Sequence, residues 1–339
     1  MMTSREPEAH AEALALIRGG KRFLVTCHRR PDGDALGSAM GLSDVLRVLG
    51  KDVVTYCPDD VPETLAFLLG VEGLCRNLDD VPGAFDATFV MDTASRVLLP
   101  KGFPERDRSG PVVVVDHHAA HEDFADVVVR DARACATGEI VLDLAASLGV
   151  ARSDLTLVGA TGLYGALVAD TGGFRFEGTT PKTLRMAADL LEKGVDPWNV
   201  AYTIFEGWPP ERVALLQEAL AGLELHNDGR LAVLKITQEM LERTGATAEM
   251  VDGLVTFGRS VRGVEVAVLL WEQDEASSDY GTVPATKVSY RSRGAADVSA
   301  LAVSLGGGGH RAAAAACVRQ EMDVVRERVL KEASALLTS

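Results

Sequence analysis

Three short apolar runs constrain this chain of 339 residues most: FLVTC at 23–27, DATFVM at 86–91 and PVVVV at 111–115. Each is continuous rather than alternating, the pattern of a strand buried on both faces. Asp52–Tyr56 (DVVTY) and Val127–Arg130 predict two more strands. Between and after them, Ala35–Leu49, Ile140–Leu148 and Leu155–Val168 have helical spacing, and Pro62–Leu69 predicts a short helix. Strands alternating with helices predict an α/β fold, a parallel sheet with helices on both faces. Such sheets bind ligands outside the carboxyl ends of their strands. The residues just beyond each apolar run are therefore the candidates for a site.

The pattern changes further along. Thr180–Gly194 and Pro209–Leu223 predict helices, with Pro197 and the pair Pro209–Pro210 as breaks. Then come predicted strands at Arg230–Ile236, Val264–Glu272, Thr286–Arg291 and Ala316–Val318, and helices at Ala248–Ser260, Ser299–Leu305 and Val324–Leu337. Gln273–Tyr280 is polar and predicts a hairpin or loop. The expectation is a smaller α+β domain. Residues 1–190 would form the first domain, 191–222 a helical connector and 223–339 the second domain.

Charge and cysteines narrow the function. There are 34 Lys and Arg against 49 Asp and Glu, a net charge of −15. Non-specific binding to a long duplex needs Lys and Arg to neutralise phosphates, so such a partner is not expected. A short anion in a local site remains compatible. No apolar window approaches a membrane span, and the acidic, mixed N-terminus lacks a signal-peptide pattern. The five cysteines include no CxxC pair, which fits free thiols in a reducing cytoplasm.

The chemistry sits where the runs end. His28, Asp32 and Asp34 crowd the turn HRRPDGD after the first run. Two carboxylates and an imidazole this close call for a positive partner, and Mn²⁺ or Mg²⁺ accepts both ligand types. The plain alternative for Asp32 is an N-cap of the following helix. Asp92 follows the second run, and Asp116, His117 and His118 follow the third. Asp170 ends an apolar helix, a position that the helix dipole disfavours for an acid and a cation would offset. Together these residues suffice for two metal sites. One shared carboxylate would let two ions sit about 3.5–4 Å apart, as in two-metal phosphoester hydrolysis. Near the end of the chain, Gly306–Gly309 lead into His310 and Arg311. Such glycines can form an anion-binding nest, helped by a helix starting just after them. Arg291, closing a predicted strand, suits bidentate phosphate contacts.

The segments HRRPDGDALGS, MDTAS, VVDHH and ADTGGFRF, in this order, resemble the four motifs of the DHH phosphoesterase superfamily. The tail RSRGAADVSALAVSLGGGGHRAAAAAC resembles the DHHA1 domain of one branch, and the likeness runs from about Leu16 to about Val318. The resemblance implies a parallel-sheet DHH domain followed by a smaller α+β DHHA1 domain. It also implies an enzyme requiring two Mn²⁺ ions (Mg²⁺ being an alternative). His28, Asp32 and Asp92 would hold one ion, and Asp34, Asp92, His117 and Asp170 the other, with Asp92 bridging. His118 would face the scissile phosphate, and Asp116 would orient its neighbours. Arg291, Gly307, Gly308, Gly309, His310 and Arg311 would bind substrate.

The implied activity is the short standalone type: hydrolysis of short RNA or DNA oligonucleotides to mononucleotides, and of 3′-phosphoadenosine 5′-phosphate (pAp) to AMP. The alternatives are a pApA or cyclic di-AMP phosphodiesterase, an inorganic pyrophosphatase, a single-strand DNA exonuclease of the RecJ type and a nucleotide-sensing module. The resemblance is also compatible with a homodimer. The chain departs from the family at Ala312 and Ala315, where Asn and Gly are usual, and at His121, where Asn is common.

Overall fold

A computed structural model describes residues 6–118, 122–278 and 281–338; His121 and the side chain of His310 lie outside the described residues. The chain divides into two compact units, Met1–Gly207 and Trp208–Ser339.

The first unit contains α1 (Glu6–Gly19), β1 (Arg22–Cys27), α2 (Gly33–Val48), β2 (Asp52–Tyr56), β3 (Ala87–Met91), α3 (Arg106–Ser109), β4 (Val112–Asp116) and β5 (Val127–Arg130). It continues with α4 (Thr137–Ser147), α5 (Leu157–Asp170), α6 (Pro181–Glu192) and α7 (Pro197–Phe205). The five strands pair in the order β2-β1-β3-β4-β5, all parallel. Every residue of β3 is buried, as its uninterrupted apolar run requires. Phe23, Val25, Phe89, Met91, Val113 and Val115 join α1, α2 and α4 in one core. On the opposite face Leu24 packs with Tyr56, Leu78 and Phe85. The strand order reverses between β1 and β3, the switch point at which sheets of this order open a ligand crevice.

Helices α2 and α5 pack through small residues. An ideal Cβ on Gly37 would lie 2.3 Å from the carbonyl oxygen of Gly162, and one on Gly41 2.4 Å from the Leu163 side chain. Only glycine allows so close an approach. The start of α5 is also tied to α2. Asp44, buried within α2, accepts hydrogen bonds from the Thr156 N–H at 2.8 Å and the Thr156 hydroxyl at 2.7 Å. Asp44→Ala is expected to cost about 2 kcal/mol, the upper range for a lost cap, because it leaves two donors unanswered. Thermal melting reads this directly, and an unchanged midpoint would show that the bond contributes nothing.

The second unit contains α8 (Pro210–Ala221), β6 (Glu224–His226), β7 (Leu231–Ile236), α9 (Gln238–Thr244), α10 (Val255–Arg259), β8 (Val266–Gln273), β9 (Ala285–Ser292), α11 (Ser299–Ser304), β10 (Gly308–His310), β11 (Ala313–Val318) and α12 (Met322–Thr338). Its sheet has the order β10-β11-β9-β8-β7-β6, antiparallel except for the β7–β8 pair. Strand β8 feeds two cores by alternation: Val266, Val268 and Leu270 meet α11 and α12, while Ala267, Leu269 and Trp271 meet α8, α9 and α10.

Four local expectations are corrected. Pro62–Leu69 yields only a 3-10 turn at Glu63–Leu65. Ala248–Ser260 is a 3-10 turn followed by the short α10, interrupted at Gly253, which has φ +83°. Pro197 does not break a helix but opens α7, as Pro210 opens α8, because the first helical position needs no N–H. No helix follows the glycines: the alanine run is strand β11, paired with β9, and Gly308–His310 pairs back on it. Gly307 and Gly309 serve that close pairing, since a Cβ would lie 2.1 Å from the Ala315 oxygen and 2.5 Å from Ala314 Cα respectively.

Candidate metal centre

The three central strands β1, β3 and β4 deliver their polar residues at the same sheet edge. His28 follows β1, Asp92 follows β3, and Asp116 closes β4 just before His117 and His118. Asp92 sits at φ +55°, a left-handed turn that aspartate tolerates better than most residues. From the other side come Asp32, the N-cap of α2, and Asp34, in its first turn. Asp170 is the last residue of α5. The close α2–α5 packing thus sets the spacing of Asp34 and Asp170.

Three overlapping groups result: Asp92, His117 and His118; His28, Asp32 and Asp92; Asp34, His117 and Asp170. Within each group one ligand atom per residue lies within 4.8 Å of the others. Asp92 divides its oxygens between two sides. Its Oδ2 is 3.6 Å from His28 Nε2, while its Oδ1 is 3.6 Å from His117 Nε2 and 3.4 Å from His118 Nδ1. His28 Nε2 is 3.8 Å from Asp32 Oδ1. His117 Nε2 is 3.0 Å from Asp170 Oδ2 and 3.7 Å from Asp34 Oδ2.

The second ring nitrogens explain this aim. His28 Nδ1 donates to the Arg29 carbonyl at 3.0 Å, and His117 Nδ1 to the Ala134 carbonyl at 3.3 Å. A carbonyl only accepts, so Nδ1 carries a proton and Nε2 is turned to the carboxylates. Imidazoles that ligate metals are oriented in this way. His118 is turned around: its Nδ1 donates to Asp116 Oδ1 at 2.6 Å, and its backbone N–H to the same oxygen at 3.1 Å.

Electrostatics support the fit of this donor set to cations. Burial, with Asp92 and Asp170 nearby, pushes Asp34 well above the usual carboxylate range, and burial pushes Asp170 up to about 6 despite His117. Burial would lower the histidines, yet the carboxylates win. His28 rises to about 9 beside Asp92 and Asp32, His117 to about 10 beside Asp170 and Asp34, and His118 to about 11 beside Asp116 and Asp92. Burial opposes ionisation of Asp92 too, but the neighbouring His118 and His28 rings hold it well below its ordinary value. Without a metal, protons must neutralise this cluster; dications can replace them through the same atoms.

Three residues not singled out from the sequence complete the centre. Ser38 Oγ donates to Asp34 Oδ1 at 2.8 Å. At the start of α4, the Thr137 and Gly138 N–H groups reach Asp34 at 2.6 and 3.0 Å, and the Thr137 hydroxyl reaches Asp92 Oδ1 at 3.0 Å. Ser38 lies inside the HRRPDGDALGS motif, one turn after Asp34; for Thr137 and Gly138 the one sequence signal is a helix start, which does not reveal Asp34, 103 and 104 residues away.

The expected substrate residues lie in the second unit. Arg291 on β9 is opposite Ala313 on β11, which is opposite His310 on β10. Arg291 Nη1 donates to the Tyr290 carbonyl at 2.9 Å, and Arg311 Nη2 to the Ala295 carbonyl at 2.8 Å. Gly307 and Gly309 abut β11, whereas a Cβ on Gly308 would meet nothing within 4 Å.

A five-stranded parallel sheet with this His–Asp edge, followed by a mixed-sheet domain carrying GGGGH, defines a class. The DHH family N-terminal domain matches residues 22–163, and the DHHA1 domain matches residues 228–339. The chain belongs to the DHH family. It is 35% identical over 332 residues to the bifunctional oligoribonuclease and PAP phosphatase NrnA of Thermus thermophilus, covering 97% of this chain and 93% of that protein. It is 27% identical over 292 residues to the protein of the same name from Bacillus subtilis, covering 86% and 87%. The crystal structure of an exopolyphosphatase-related protein from Bacteroides fragilis superposes with a TM-score of 0.85 over 100% of both chains, at 22% identity, a likeness of fold.

Proposed function

We propose that this chain is a phosphoester hydrolase that degrades short oligoribonucleotides to mononucleotides and converts pAp to AMP. The observation that carries the cation-dependent part is Asp92, whose two oxygens face two different sets of ligands. The substrates are taken from the relatives named NrnA, similar along nearly the whole chain.

Two Mn²⁺ ions suit the centre, with Mg²⁺ as the alternative. His28, Asp32 and Asp92 would hold one, and Asp34, Asp92, His117 and Asp170 the other. When bound, such a pair supplies Lewis-acid activation of water and neutralises charge on the phosphate. The protein's own contribution is positional. Asp116 fixes the tilt of His118 by accepting from Nδ1 and favours its imidazolium form, so His118 can hold a second proton at Nε2 for a phosphate oxygen or for the leaving oxygen. Arg291, Gly307, Gly308, Gly309, His310 and Arg311 would contribute nucleotide contacts, the arginines through their donor forks. Among the described residues no helix is long and apolar enough to cross a membrane, and all five cysteines are thiols. Both features agree with a cytoplasmic enzyme.

The test is turnover of 5′-labelled RNA dimers to pentamers, matched DNA oligomers and pAp in Mn²⁺. Loss of the short RNAs to mononucleotides and release of phosphate from pAp is expected. Activity confined to cyclic di-AMP or pyrophosphate would overturn the substrate assignment. Tight pAp binding without turnover would indicate a sensing module instead.

A further inference from the structure

We infer that Thr137 is a positioning residue for this centre, aligning the shared carboxylate of Asp92 and holding that of Asp34. The inference rests on the cation-dependent reading above.

The first turn of α4 is unusual in what answers its N–H groups. Ala136, at the N-cap, offers no side-chain acceptor. The acceptor is Asp34, on α2: its Oδ2 takes the Thr137 N–H at 2.6 Å and its Oδ1 the Gly138 N–H at 3.0 Å. The positive end of α4 is thereby directed at a carboxylate of the centre. Ser38 supplies a further donor to Oδ1. Both oxygens of Asp34 are pinned, with Oδ2 still 3.7 Å from His117 Nε2.

The Thr137 side chain does the second task. It is fully buried, and nothing in helix formation asks for a β-branched hydroxyl residue there. A buried hydroxyl needs a partner, and this one reaches Asp92 Oδ1 at 3.0 Å. That oxygen is the one facing His117 and His118, while Oδ2 faces His28. A carboxylate turns easily about its terminal bond. The Thr137 hydroxyl selects the rotation that gives each ligand set one oxygen.

The platform behind Thr137 is firm. A Cβ on Gly138 would lie 2.7 Å from Ala166 Cβ and 3.3 Å from Ser38 Oγ, so α4 is pressed against α5 and α2. Next along the helix, buried Glu139 accepts from the Thr183 hydroxyl at 3.0 Å and lies 3.0 Å from Lys182 Nζ. Thr137 cannot readily follow Asp92 if that side chain rotates.

The test compares Thr137→Val, which keeps the shape and the N–H, with Thr137→Ser, which keeps the hydroxyl. Mn²⁺ affinity of the substrate-free protein is measured by calorimetric titration, alongside kcat and KM on pAp. Valine is expected to weaken Mn²⁺ binding about 10- to 100-fold, the usual effect of losing a partner that orients a metal ligand, and to lower kcat more than it raises KM. Serine is expected to restore both to near wild type. Thr137→Ala repeats the comparison if valine is not accommodated. Wild-type affinity in both the valine and alanine variants, or equal losses in serine and valine, would overturn the positioning role. If the wild-type protein itself takes up no Mn²⁺, the cation reading fails first and is recognised as the cause.

Discussion

Asp92→Asn is expected to cut turnover of pAp at least ~10³-fold while leaving the protein folded. The substitution keeps the size of the side chain but removes one acceptor. Protonated His118 Nδ1, 3.4 Å from Oδ1, favours the amide oxygen on that side, where the Thr137 hydroxyl at 3.0 Å can also donate to it. The amide NH₂ then faces His28, where Oδ2 now stands at 3.6 Å. It has no lone pair for a cation, and the His28–Asp32 set loses its third ligand. Metal assistance contributes several kcal/mol to such reactions, and each 1.36 kcal/mol is tenfold in rate. Initial rates with pAp in Mn²⁺ check the size of the loss, and a Mn²⁺ titration checks its origin by a fall from two ions to one. A variant retaining both ions and most of its turnover would contradict the bridging role.

Gly37→Ala is expected to destabilise the first unit by about 1–2 kcal/mol. Two effects oppose each other. Alanine in a helix interior gains up to about 1 kcal/mol over glycine. Here, however, the new methyl would stand 2.3 Å from the Gly162 carbonyl oxygen, which belongs to the backbone and cannot swing away. Overpacking typically costs about 1–3 kcal/mol, so the clash wins. The strain also reaches the centre, because α2 carries Asp34 and α5 carries Asp170. Gly19→Ala is the control: it closes α1 with nothing within 4 Å of its Cβ position, and no loss is expected. Thermal melting of the pair decides. Equal midpoints would show that α2 and α5 can part without cost.

Different physical signals make different parts of this molecule readable. β1, β3 and β4 stand out because strands covered on both faces are apolar at nearly every interior position, and their ends stand out because Asp and His rarely follow such runs without a task. The Asp–His edge is therefore legible before any geometry. Thr137 is not, because its partners Asp34 and Asp92 are brought to it by the fold of the sheet and of α2. The alanine run at 312–316 misleads for another reason. With one residue type repeated there is no hydrophobic contrast to show a period, and alanine's helix preference suggests the wrong element. Pairing with β9 and burial of Ala314 and Ala316 decide for a strand. Helix α7 escapes because Pro197 reads equally as a stop or as a first helical residue.

The most direct measurement is anomalous-difference density from crystals of the wild-type protein soaked in Mn²⁺. Two peaks are expected, one against His28 and Asp32 and the other against His117, Asp34 and Asp170, with Asp92 contributing one oxygen to each. A single peak, or manganese bound elsewhere with Asp92 left to the histidines, would contradict the shared-carboxylate centre.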